Sequence, residues 1–154
     1  HYNQFVEALL KGNLKEMNIY MNDVALSTFS SFDTGTHPSR RSQPERFFHG
    51  FVLGLISDLR DIYEIKSNRE SGYGRYDIML IPADIHDKTH DGIVLEFKVH
   101  DADGEATLAD TAQAALRQIE DKNYDAELIN RGIPKSRIQH YGFAFEGKKV
   151  LIAQ

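Results

Sequence analysis

One eight-residue run constrains the fold more than any other part of the chain: GIVLEFKV, residues 92–99. Its β-branched and aromatic residues mark a strand heading into a hydrophobic core. Strand side chains alternate between faces, so Leu95, Phe97 and Val99 point one way while Val94, Glu96 and Lys98 point the other. A face that carries an acid and a base two residues apart either meets solvent or does chemistry.

The rest of the sequence supplies a setting for that strand. A chain of 154 residues is the size of one domain and buries a core without staples. With no cysteine it relies on neither disulfides nor thiolate metal sites, and a reducing cytoplasm is the expected compartment. No apolar run approaches the ~20 residues that span a bilayer, and the start HYNQFVEALLKGN lacks the layout of a secretory signal. The first residue is not Met, so a piece of a longer polypeptide is expected. A formal charge of −5 argues against broad charge-driven binding to a polyanion, which would need a local basic patch. Between Arg40 and Arg75 seven basic residues stand against five acidic ones, a modest excess that a mixed solvated surface also explains.

Periodicity predicts packing helices on either side of Gly12-Asn13, carrying Phe5, Val6, Leu9 and Leu10, then Leu14, Met17, Met21, Val24 and Leu26. Residues 30–43 read as a long polar loop. Pro44 suits the first turn of a further helix, with Glu45 at its start and Phe48, Phe51, Val52, Leu55 and Leu59 at helical spacing. Three strands are expected over Ile62–Lys66, Tyr76–Ile81 and Ile93–Val99, then an amphipathic helix over Ala106–Lys122 and a short one over Asp125–Asn130 ending at Gly132. The tail reads as a hairpin around Glu146-Gly147. This order predicts an α/β sheet packed by helices, with residues 1–43 as helices and loop packed on a core formed by residues 44–154, within one compact domain.

In the second strand, GYGRYDIML, alternation puts Tyr76, Ile78 and Leu80 on one face and Asp77, Met79 and Ile81 on the other. An acid among large apolar neighbours is costly to bury and needs a partner or a metal. Asp77 and Glu96, with Lys98 two positions on, form a set suited to Mg²⁺. Carboxylate oxygens are hard ligands, and two of them leave positions for water and phosphate. A same-face ammonium orients that water or stabilises charge on phosphorus. By spacing alone, however, D…ExK occurs by chance in many chains.

The D…ExK pair on consecutive strands, after a helix bearing an acid, resembles the PD-(D/E)xK nuclease superfamily, whose restriction-endonuclease-like core runs helix, three strands, helix, strand. PERFFHGFVLGL, SNRESGYGRYDIML, IVLEFKV, AALRQIEDKNY and YGFAFEGKKV are more closely similar to the nuclease-like domain that follows an AAA-ATPase-like domain in bacterial proteins of unknown role. The resemblance implies a mixed sheet flanked by helices, with Asp77 and Glu96 as ligands to Mg²⁺ or Mn²⁺ and Lys98 as the catalytic lysine. Glu45 would reach the metal through water, and Gln118 would be a polar residue facing the site. It also implies nucleic acid, DNA before RNA, as substrate and an ATPase-like domain on the N-terminal side. Tyr76 stands where the superfamily name has proline.

Blander readings run beside these. Glu45 in a first helical turn is favoured by the helix dipole alone, and Gln118 reads equally as a solvated helix position. For Gly72 and Gly74 a turn is expected ahead of close approach to phosphate. Arg69 and Arg75 are candidate phosphate contacts, and Tyr73 and Tyr124 candidate base-stacking residues, with core or rim packing preferred for both tyrosines. GFAFEGKK is not a P-loop, because Lys149 replaces the metal-binding Ser or Thr and strands flank it. DIHDKTHD, bracketed by Pro82 and Gly92, is a loop lacking the register for a zinc site. Two rival functions stay open: a nuclease-fold module that binds nucleic acid or protein without turnover, and a structural domain in which GIVLEFKV lies on a wet face.

Overall fold

In the computed structural model, which describes residues 1–29 and 42–154, the N-terminal helices begin and end where side chains satisfy the backbone. Asn3 caps α1 (Gln4–Lys11) by accepting from the Val6 amide, and Gly12, at φ 65°, ends it. Asn13 caps α2 (Leu14–Thr28) in the same way, accepting from the Glu16 amide. The polar loop expected at residues 30–43 falls almost wholly outside the described residues. α3 (Ser42–Ile56) carries Pro44 in its first turn, where a missing N–H is harmless.

Five strands follow: β1 (Tyr63–Ser71), β2 (Gly74–Pro82), β3 (Gly92–Val99), β4 (Ile138–Glu146) and β5 (Lys149–Ala153). They form one sheet in the order β1-β2-β3-β4-β5. β3 and β4 are parallel and the other neighbours antiparallel, so the sheet is mixed. A parallel pair needs a crossover, and here it contains α4 (Leu108–Asp121) and α5 (Ala126–Asn130). α4 starts in a capping box made by Thr107 and Asp110.

Each sheet face buries its own apolar cluster. On one, Phe5, Met17, Phe48 and Val52 of the first three helices meet Ile78, Leu80, Leu95, Phe97, Phe143 and Phe145. Phe48 stacks on Phe145 with centroids 4.0 Å apart and planes 9° from parallel. On the other, Ile119, Tyr124 and Leu128 cover Met79, Ile81 and Val94. This is the α/β restriction-endonuclease-like arrangement expected from the sequence. Among the described residues no helix is long and apolar enough to cross a membrane.

α2 does more than pack. Asn18 donates to the Ile152 carbonyl (3.0 Å) and accepts from the Ile152 amide (2.8 Å), and Asn22 does the same with Val150 at 2.8 and 3.0 Å. Two asparagine amides one helical turn apart thus occupy the free edge of β5, as a sixth strand would.

Two strand expectations need correction. β1 runs to Ser71 instead of stopping at Lys66: SNRES is polar because this end of the hairpin is largely exposed, yet its backbone still pairs with β2. And Tyr76 does not share a face with Ile78 and Leu80. It packs with Met79, Ile81 and Tyr124, so alternation breaks at Asp77.

Candidate metal centre at the strand fork

The β2–β3 ladder pairs Leu80 with Ile93, Met79 with Val94 and Ile78 with Leu95, and there it stops. The next pair in register would be Asp77 and Glu96. Instead the strands part, and Asp77 Oδ2 accepts from the Phe97 amide at 2.8 Å, replacing the lost backbone partner with a carboxylate. Two acids therefore stand in the fork where β2 and β3 part.

Glu96 is only 4 % exposed. Its Oε1 accepts from Gln118 Nε2 at 2.9 Å, while Oε2 is buried with no hydrogen-bond partner. Burial pushes the Glu96 carboxyl up to about 9, and the Asp77 carboxylate beside it and Glu45 add to the rise. Burial also raises Asp77, against the Phe97 amide that favours its charged form. Glu45 is raised by burial and by Asp77, with Lys98 pulling the other way. Three carboxyls that oppose one another's ionisation need either a shared proton or a cation between them.

Separate elements deliver these groups. Glu45 sits in the first turn of α3, on the opposite sheet face from α4, and meets Asp77 and Lys98 where the strands open. Gln118 reaches Glu96 because α4 lies directly on β4: a Cβ at Gly142, the residue paired with Glu96, would stand 2.5 Å from the Ala112 carbonyl oxygen. Gln118 also donates to the Tyr124 hydroxyl at 3.1 Å, which fixes its amide. Glu45, Glu96, Lys98 and Gln118 line one groove of about 400 Å³ with Phe97, Val99 and Asp101. Glu45 and Asp77 line a second, of about 240 Å³, with Arg46, His49 and Asn68.

A family model of the PD-(D/E)XK nuclease superfamily matches residues 43–154, well over half the chain. The chain belongs to this superfamily. No significant match was found among curated proteins or among solved structures.

Within this superfamily member, four of the five candidate site residues, Glu45, Glu96, Lys98 and Gln118, share one groove, and the fifth, Asp77, stands beside Glu96 and shares the neighbouring groove with Glu45. Sequence reading missed His49, one turn after Glu45, whose Nε2 lies 2.7 Å from Ser67 Oγ and whose ring packs edge-on against Phe97. Its i+4 spacing from Glu45 was the available signal. Arg69 and Arg75 are exposed on the distal part of the β1–β2 hairpin. Tyr73, expected to pack in core or rim, is instead 79 % exposed at the hairpin tip, while Tyr124 is buried as expected. Gly72 does hold a turn, at φ 60°, whereas Gly74 has no positive φ.

GFAFEGKK is the β4–β5 hairpin, so strands flank it as expected, and in the loop between β2 and β3 His90 Nδ1 lies 3.0 Å from Asp87 Oδ2. A different trio, Glu120, Asp125 and His140, has ligand atoms within 4.8 Å of one another. Lys135 Nζ already lies 3.0 Å from Asp125 and 3.2 Å from Glu120, so an ammonium fills the place a metal would take.

Proposed function

We propose that this chain is a divalent-metal-dependent nuclease domain that hydrolyses phosphodiester bonds of nucleic acid, DNA in the first instance. The observation that carries the proposal is the buried Glu96 Oε2, which has no donor and stands beside Asp77 where the sheet opens. An orphan carboxylate oxygen at 4 % exposure is costly unless a positive charge completes it. The donor set is all carboxylate oxygen, which fits Mg²⁺ or Mn²⁺ and not a soft metal.

When bound, a divalent ion polarises phosphate oxygens and lowers the pKa of a water. Asp77 and Glu96 would hold it directly, and Glu45 through water. Gln118 keeps Glu96 Oε1 occupied, so Oε2 stays turned toward the fork. Lys98, in the same groove, would orient the attacking water and offset charge developing on phosphorus. Arg69 and Arg75 would contact flanking phosphates, and Tyr73 would stack on a base. The resemblance of segments such as PERFFHGFVLGL, IVLEFKV and YGFAFEGKKV to nuclease-like domains that follow an ATPase-like domain leads us to propose such a domain, on the N-terminal side, as the working partner.

The test is a calorimetric titration with Mn²⁺ and Mg²⁺, followed by cleavage assays on DNA and RNA, for wild type and Asp77→Ala. Tight binding and cleavage by the wild type alone is the expected result; identical behaviour sinks the reading. The net charge of −5 favours one second reading, a nuclease-fold module that docks on a protein without cutting. Wild type that neither retains nor cleaves nucleic acid would select it.

A further inference from the structure

We propose that Asn68 is a positioning residue whose left-handed backbone aims Asp77 into the fork. This rests on the reading of Asp77 as a metal ligand. β1 and β2 keep one register from Tyr63↔Pro82 to Ser71↔Gly74, with no inserted residue. One rung is missing, between Ser67↔Ile78 and Arg69↔Tyr76: Asn68 and Asp77 face each other unpaired. Asp77 is also the first residue beyond the β2–β3 ladder, so it lacks a ladder partner on either side.

At that rung both strands exchange faces. Ser67 meets His49 of α3, yet Ser71, which regular alternation puts on the same face, donates to the Tyr124 carbonyl and accepts from the Glu127 amide on the α4–α5 side. Likewise Ile78 lies in the cluster under α3 and Tyr76 in the cluster under α4 and α5. The hairpin end is therefore rotated as a unit about the Asn68–Asp77 level. It is anchored in that orientation by the Tyr73 amide, which donates to the Lys122 carbonyl at 2.7 Å.

The rotation requires one residue outside the extended region, and that residue is Asn68, at φ 52°. Asparagine enters the left-handed region far more readily than alanine or a β-branched residue. On β2 the same rotation is absorbed at Asp77, whose carboxylate leaves the strand face and turns to the Phe97 amide. A fully extended Asn68 would restore the rung and return Asp77 to the face of Met79.

The experiment compares Asn68→Gly, Asn68→Ala and Asn68→Val in the whole chain by Mn²⁺ calorimetry and by hydrogen exchange of the Phe97 amide, with a metal-free melt to confirm folding. Asn68→Gly is expected to keep wild-type Mn²⁺ affinity and Phe97 protection. Asn68→Ala should bind Mn²⁺ about five- to thirtyfold more weakly, the order of a single left-handed penalty, with faster exchange at Phe97, and Asn68→Val should be weaker still. If Asn68→Val does not fold, the alanine–glycine pair decides. A folded Asn68→Ala with wild-type Phe97 protection overturns the proposal, whatever the metal does. Wild type that takes no Mn²⁺, while Asn68→Ala loses Phe97 protection, would sink the metal reading and uphold this one.

Discussion

Replacing Glu96 with glutamine should make the metal-free protein more stable, by an amount that grows with pH. The native carboxyl is pushed up to about 9 from an ordinary 4.5, so between those values the folded chain holds a proton that the unfolded chain has released. Stability therefore falls as pH rises through that window. At pH 7, roughly two and a half units above the ordinary value at ~1.4 kcal/mol each, the burden is ~3 kcal/mol. In Glu96→Gln the neutral amide would carry no such burden and could donate to Asp77 in place of the proton. For a chain of this length the difference corresponds to about 5–10 °C in Tm. Melts of both proteins with chelator at pH 5, 7 and 9 should converge at the acid end and separate toward pH 9. At pH 7, Mn²⁺ at about a thousand times Kd should reverse the order, since it adds ~4.1 kcal/mol to the wild type alone. Equal pH slopes for the two proteins would show that Glu96 is not a buried acid beside Asp77, and would remove the reason for a cation there.

Other expectations follow from the same geometry. Lys98→Ala should lower kcat by ~10²–10⁴-fold while Mn²⁺ affinity measured by calorimetry stays within a few-fold of wild type. Gly72→Ala should destabilise by ~2–4 kcal/mol in urea denaturation, because a Cβ there would stand 2.2 Å from the Lys122 and Asn123 carbonyl oxygens at φ +60°. Burial alone would raise the Asp125 carboxyl, but hydrogen bonds from His140 (2.7 Å) and Lys135 (3.0 Å) prevail and hold it below the ordinary range. That contribution is present above the ordinary carboxylate value and lost as pH falls through the depressed one. Asp125→Asn should therefore cost ~2 kcal/mol at pH 7 and markedly less at pH 3 in chemical denaturation. Most of the loss should come from His140, since Lys135 is 59 % exposed and screened.

What the sequence made legible was whatever depends on regular repetition. β3 is regular, so alternation correctly sent Leu95 and Phe97 to one core and Glu96 to the α4 side. The same rule misplaced Tyr76, because pairing lapses on both sides of Asp77 and no periodic argument survives a missing rung. A left-handed asparagine leaves no mark in composition, and Asn68 reads like any polar loop residue. The polar end of β1 was hidden for a related reason: hydropathy reports burial, and that stretch is held by backbone bonds, not by a core. His49 was legible in principle, at helical spacing from Glu45, but its meaning depends on Ser67 and Asp77, which only the folded sheet brings alongside.

The asparagine pair on α2 also bears on where this protein can be shortened. The family match begins at residue 43, which makes a truncation there tempting. Such a fragment would uncover the outer amide and carbonyl groups of Val150 and Ile152 that Asn22 and Asn18 now satisfy. An open rim of this kind recruits other strands, so the shortened protein should self-associate even if its fork is intact. The N-terminal helices thus act as a hem that keeps neighbouring molecules from stitching onto the sheet.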